Sequence, residues 1–87
     1  MVLYKRKAGV VSKTEKIIEK MRRQPNGIRL EEAEKVLRAH GYELVRQKGS
    51  HGQYLNLQTG DVITIKQESP LKKAYIMDIL FRIDNKF

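Results

Sequence analysis

The 87-residue chain contains no cysteine and no tryptophan. Without thiols it can build neither a disulfide framework nor a thiolate metal centre, so packing alone must hold it, and a reducing cytoplasm suits it. Proline is confined to Pro25 and Pro70, and neither an internal repeat nor a low-complexity block is present. That argues against repeat and linker-rich architectures. No apolar run reaches the length of a membrane span or a signal-peptide core, so a soluble protein with no membrane partner is expected. Glycine loops of the Walker or dinucleotide type are also missing. Histidine is limited to His40 and His51, and the carboxylates around them are scattered, which is not metal-ligand spacing. No metal and no cofactor is expected.

What the chain has in excess is positive charge: 18 Lys and Arg against 10 Asp and Glu, a formal net charge of +8. A polyanion is the natural partner, and nucleic acid is favoured over a membrane surface because no strongly apolar amphipathic segment accompanies the charge. The charge is uneven. Residues 1–25 hold eight basic and two acidic side chains, a balance of +6, which leaves +2 for the other 62 residues.

Periodicity divides the chain into three parts. Residues 1–11 show no pattern and read as a basic arm, in which Lys5, Arg6 and Lys7 would assist nucleic-acid binding. Residues 12–24 read as an additional helix, with Ser12 and Glu15 at capping-box spacing and Ile17, Ile18 and Met21 on one face. Pro25, Asn26 and Gly27 end it. Residues 28–87 form the main unit. It opens with a helix over Leu30 to His40, in which Leu30, Ala33, Val36 and Leu37 recur at helical spacing and Gly41 supplies a left-handed cap. The other face of that helix shows Glu31, Glu32 and Glu34, which reads as solvated and turned away from any RNA.

Strands are expected over Tyr42–Lys48, His51–Leu57 and Val62–Lys66, joined by turns at Gly49-Ser50 and at Gln58 to Asp61. Ser69 as N-cap and Pro70 at the first helical position would open a last helix, whose stripe is Ile76, Ile79, Leu80 and Ile83. The order α-α-β-β-β-α with two tight turns implies an α+β fold: a three-stranded antiparallel sheet carrying its helices on one face. The other face would remain open to a ligand. Alternation does not choose that face, because in the second strand Leu55 and Leu57 oppose Tyr54 and Asn56. The first strand poses the same problem, since Arg46 and Lys48 share a parity with Tyr42 and Leu44.

His40 precedes a helix-ending glycine, where an imidazole commonly serves the terminal carbonyls. His51 has different surroundings: Arg46, Lys48, Gly49, Ser50 and His51 fall within six residues at a hairpin. Such a group suits cleavage of an RNA phosphodiester, where protons must be moved and negative charge held. The imidazole titrates near neutral pH, Gly49 lets backbone N–H groups approach a phosphate, and the Ser50 hydroxyl can bond a phosphate oxygen. A surface histidine beside an ordinary Gly-Ser turn is the competing reading.

The run Gly41-Tyr42-Glu43-Leu44-Val45-Arg46-Gln47-Lys48-Gly49-Ser50-His51 resembles the signature of the HicA toxin family. Tyr54 takes the aromatic position three after the histidine, Gly60 the turn, Ile63-Thr64-Ile65 the third strand, and Pro70-Leu71-Lys72 the approach to the final helix. The resemblance spans about Arg29 to Ile83. It implies a fold similar to double-stranded-RNA-binding domains, an mRNA-degrading toxin neutralised by a HicB-type antitoxin, and His51 as the catalytic histidine. It also favours Tyr54 pointing inward and His51 outward. Many relatives carry a Pro and a second His after the third strand, where this chain reads Lys66-Gln67-Glu68-Ser69. The N-terminal residues 1–25 have no counterpart in the minimal family pattern.

The expected function is therefore a metal-independent endoribonuclease toxin with His51 as general base or acid. Gly49 and Ser50 would lie around the scissile phosphate, and Arg46, Lys48, Lys66 and Lys72 would contact phosphates. A non-catalytic RNA-binding module using the same surface is the alternative, supported by the charge and the missing second His. A third possibility is a domain whose positive surface docks an acidic protein partner.

Overall fold

Leu30, Ala33, Val36 and Leu37 form the apolar stripe of a ten-residue helix, and the last three are fully buried in the computed structural model, which describes the backbone of residues 4–85 and the side chains of residues 13–85. The elements run α1 (Tyr4–Arg23), α2 (Leu30–Ala39), β1 (Tyr42–Lys48), β2 (His51–Asn56), β3 (Val62–Lys66) and α3 (Lys73–Asn85). The three strands form an antiparallel meander in the order β1-β2-β3, so the α+β architecture and its α-α-β-β-β-α order are as expected.

Tyr42, Tyr54, Ile63 and Ile65 turn to one face of the sheet and are buried there with Val36 and Leu37 of α2 and Ile76, Ile79, Leu80 and Ile83 of α3. Met21 and, less completely, Ile17 and Ile18 of α1 close the same core. Cutting a fully buried member such as Leu37 or Ile79 back to Ala would cost about 2–5 kcal/mol. Ion pairs hold the helices in register: Lys20 of α1 meets Glu32 of α2 at 3.0 Å, and Arg22 forks onto both carboxylate oxygens of Asp84 on α3 at 3.0 and 2.7 Å.

Two helix starts and one strand end depart from the sequence reading, and α1 and α2 each end one residue early. Helix α1 starts at Tyr4, not Ser12, so position 12 lies inside the helix. The side chains of the basic arm, Lys5, Arg6 and Lys7 among them, lie outside the described residues. Helix α3 starts at Lys73, and Ser69 and Pro70 precede it. The reason is that this segment is engaged elsewhere. The Ser69 Oγ accepts the Leu30 N–H at 2.9 Å, the Leu71 N–H donates to the Ile28 carbonyl at 2.8 Å, and the Leu71 side chain is buried in the core. Ser69 thus satisfies a donor at the start of α2 in place of capping α3. The third departure is small: β2 ends at Asn56, and Leu57 lies exposed beyond it.

The ambiguous parity of β1 is resolved by an irregularity at Val45. Leu44 pairs with Tyr54, but the next pair is Arg46 with Gln53, so one residue is looped out of the ladder. A bulge of this kind flips the alternation. Tyr42 and Leu44 therefore take the parity of the core face, while Arg46 and Lys48 take that of the open face.

Candidate nucleic-acid interface on the open sheet face

The first hairpin closes with two residues. Lys48 pairs directly with His51 across Gly49 and Ser50, and Gly49 adopts φ 60°, the left-handed conformation that a two-residue hairpin turn requires. The third strand extends the same line, because His51 also pairs with Lys66 of β3. A row Lys48–His51–Lys66 consequently crosses all three strands. Directly opposed residues hold their Cβ atoms about 5 Å apart, so the imidazole has an ammonium-bearing chain on each side. His51 and Lys48 are exposed and Lys66 is half-buried.

Two residues along the strands lies a parallel row, Arg46–Gln53–Thr64, on the same face. Arg46, Lys48, His51, Gln53 and Thr64 together line a shallow open depression. Among the described residues neither Arg46 nor Lys48 has a carboxylate partner, and Lys66 meets Glu68 at a loose 3.9 Å. Arg46 and Lys48 therefore bring uncompensated positive charge to this face, and Lys66 adds a loosely paired one beside the imidazole. Glu43, at the far end of β1, carries the parity of this face and sets its acidic limit.

The opposite face of β2 explains why His51 points outward. Tyr54 is fully buried, and its hydroxyl donates to Oε2 of Glu34 at 2.5 Å while accepting from Nε2 of Gln67 at 3.2 Å. Burial, together with the bond to Glu34, pushes the phenol up to about 12. Tyr54 is inward, as the resemblance favoured, and the period of two then places His51 on the other side. Glu34 corrects the expectation of a wholly solvated acidic face on α2. It is half-buried and turned to the sheet, because an inward tyrosine hydroxyl needs an acceptor. Glu31 is exposed against Arg29, and Glu32 accepts the Arg29 N–H at 2.9 Å.

Arg46, Lys48 and His51 are thus gathered in one depression, with Lys66 beside His51 and Gly49-Ser50 in the adjoining turn. Lys72 is not among them: it is exposed at the start of α3, its carbonyl accepting the N–H groups of Tyr75 and Ile76. His40 belongs to the scaffold, with Nδ1 3.0 Å from the Val36 carbonyl at the end of α2. Gln53 and Thr64 join the group without having been singled out in the sequence. Gln53 shares the parity of His51, whereas Thr64 joins only through the register of β3.

Fold and surface define a small α+β protein with a cationic, histidine-bearing sheet face. A sequence model of the family described as HicA toxin of bacterial toxin-antitoxin matches residues 30–83, more than half of the chain. The chain belongs to the HicA toxin family, and its role is that of the toxin of a toxin-antitoxin system. No curated protein and no solved structure gives a significant match. The match begins at α2, so α1 lies outside the family region. Among the described residues no helix is long and apolar enough to cross a membrane.

Proposed function

We propose that this toxin is a metal-independent endoribonuclease that cuts single-stranded mRNA on the open sheet face, with His51 as its catalytic residue. The observation that carries the reading is the Lys48–His51–Lys66 row: one exposed imidazole flanked on both neighbouring strands by cations. In such cleavage the RNA 2′-hydroxyl attacks the adjacent phosphorus and the bond to the 5′-oxygen breaks. His51 takes the 2′-hydroxyl proton, and water, which the open face admits, protonates the departing 5′-oxygen. Lys48 and Lys66 hold the charge that builds on the phosphoryl oxygens, the task that a metal performs in other nucleases. The described residues offer no group of three His, Asp or Glu side chains to hold such a metal. Gly49 and Ser50 contribute backbone N–H groups and a hydroxyl to the same phosphate, and Arg46 and Lys72 contact flanking ones. The antitoxin partner is of HicB type.

Expression of the chain without its antitoxin should arrest bacterial growth, and His51→Ala should relieve the arrest with an unchanged thermal midpoint. Purified protein should cut RNA in excess EDTA and leave 2′,3′-cyclic phosphate and 5′-hydroxyl ends. Equal toxicity of His51→Ala, or activity lost on chelation and restored by a divalent ion, would overturn the reading. RNA bound but never cut would favour the non-catalytic module.

A further inference from the structure

The open sheet face changes chemically from row to row along the strands. The first row, Lys48–His51–Lys66, is cationic. The second, Arg46–Gln53–Thr64, keeps one cation on β1 and places an amide and a hydroxyl on β2 and β3. The third, Glu43–Leu55–Val62, is acidic at one edge and otherwise apolar, with Val62 45% exposed and Leu55 half-buried. Successive rows are about 7 Å apart, twice the rise per residue. A nucleotide has the same polarity: an anionic phosphate, hydrogen-bonding base edges and an apolar base face. With its phosphate at the first row, a nucleotide lying along the face meets the second row next, and Glu43 in the third disfavours a backbone that runs further.

The Gln53 and Thr64 side chains are also uncommitted. Neither makes a hydrogen bond among the described residues, although both line the depression that holds His51. The depression at the other end of the sheet is different. There His40 faces the Val36 carbonyl, Asn56 bonds the His40 carbonyl and two turn N–H groups, and Arg82 is bound to Asp61 and Asp78. Polar groups at that end are used by the fold, whereas those of the second row are available to a ligand. A glutamine amide offers a donor and an acceptor side by side, which matches the edge of an unpaired base, and a threonine hydroxyl can serve either sense.

We infer that Gln53 and Thr64 read one base beside the scissile phosphate, so that the toxin cuts single-stranded RNA with a base preference at one fixed position. This rests on the ribonuclease reading of His51. The test maps the cut sites of wild type, Gln53→Met, Thr64→Val and the double variant on an RNA of randomised sequence, with His51→Ala as background. In parallel, all five proteins are titrated with homopolymeric oligonucleotides of each base. Wild type should prefer one base by about tenfold at a single position. The double variant should lose that preference while it still cuts, and the salt dependence of its RNA binding should be unchanged because no charge is removed. Gln53→Met and Thr64→Val preserve side-chain size, and a wild-type thermal midpoint shows that each has folded. An indifferent wild-type profile, or the same preference in the double variant, overturns the inference while leaving the nuclease intact. A wild type that binds RNA without cutting overturns the nuclease, and the four homopolymers then decide base reading: a preference lost in the double variant supports it, and equal affinities overturn it. If wild type neither binds nor cuts RNA, both fall.

Discussion

The Tyr54 hydroxyl reaches Oε2 of Glu34 at 2.5 Å, which joins the middle strand to α2 on the face opposite His51. With Gln67 donating to the same hydroxyl, the contact anchors the inward side of β2, opposite His51. Tyr54→Phe would leave Glu34 without this donor and Gln67 without this acceptor. The expected cost is about 1–2 kcal/mol of stability, read from denaturant midpoints. A pH signature accompanies it. An unfolded tyrosine ionises near 10.0, whereas folded Tyr54 keeps its proton to about 12. Its contribution is complete below pH 10, declines above it, and is gone once the pH passes the folded value. The alkaline limb of wild type should therefore fall more steeply than that of Tyr54→Phe, and superimposable limbs would count against the assignment.

Asp61 carries the acid counterpart. It accepts from the Tyr42 hydroxyl at 2.6 Å and pairs with Arg82, which also holds Asp78 at 3.0 Å, so the β2–β3 turn is tied to β1 and α3. Burial raises the Asp61 carboxyl, but the hydrogen bonds from Arg82 and Tyr42 together outweigh it and leave it below its ordinary 3.8. A lowered carboxylate contributes stability above its unfolded value and loses it as the pH falls through the folded one. The thermal midpoint of wild type should drop on acidification below about pH 4, and Asp61→Asn should show a shallower drop from a lower starting point. An unchanged acid limb would show that the pair is solvent-screened.

The strands and their turns were legible because two tight turns and β-type runs bound each of them. Helix α2 was legible from its four-residue stripe and Gly41. The candidate site was legible as a cluster around His51, since five of its residues are contiguous or nearly so. What sequence could not give was anything that depends on distant pairing. Lys66 becomes a neighbour of His51 only through the register of β3. The bulge at Val45, which brings Arg46 and Lys48 to the same face as His51, has no local signature. Ser69-Pro70 imitates a helix start by every local rule, yet Leu30, 39 residues earlier, takes the serine hydroxyl. Glu34 reads as one more surface acid until Tyr54 is seen beneath it.

Charge on the sheet face should appear as salt dependence. Each phosphate contact to a single strand contributes about 0.7 to the slope of log affinity against log salt. Replacing Arg46, Lys48 and Lys66 by Gln should flatten that slope by about two in filter-binding or anisotropy titrations. Replacing Lys5, Arg6 and Lys7 in the same way should flatten it by a comparable amount if the N-terminal segment also follows the RNA. An undiminished slope in the first triple variant would remove the sheet face from the binding surface, and in the second would make the N-terminal charge a bystander.

Ser69 and Lys72 lie three residues apart in one segment and should separate stability from binding. The Ser69 hydroxyl is spent on the Leu30 N–H at 2.9 Å, a helix-start donor that has no partner within its own helix. Ser69→Ala should cost about 1 kcal/mol of stability, the range of a lost helix cap, and leave RNA affinity unchanged. Lys72 is exposed and immediately precedes the first residue of α3, where free N–H groups and the helix dipole favour an anion. Lys72→Ala should weaken RNA binding by about 1 kcal/mol at low salt and barely move the thermal midpoint. The alternative is that the lysine stem helps to cover Ile76 one helical turn away, which is fully buried in the intact chain. Measuring both variants side by side settles the division: a Lys72→Ala protein that loses stability but binds RNA normally would make Lys72 a packing residue and confine phosphate contacts to the sheet face.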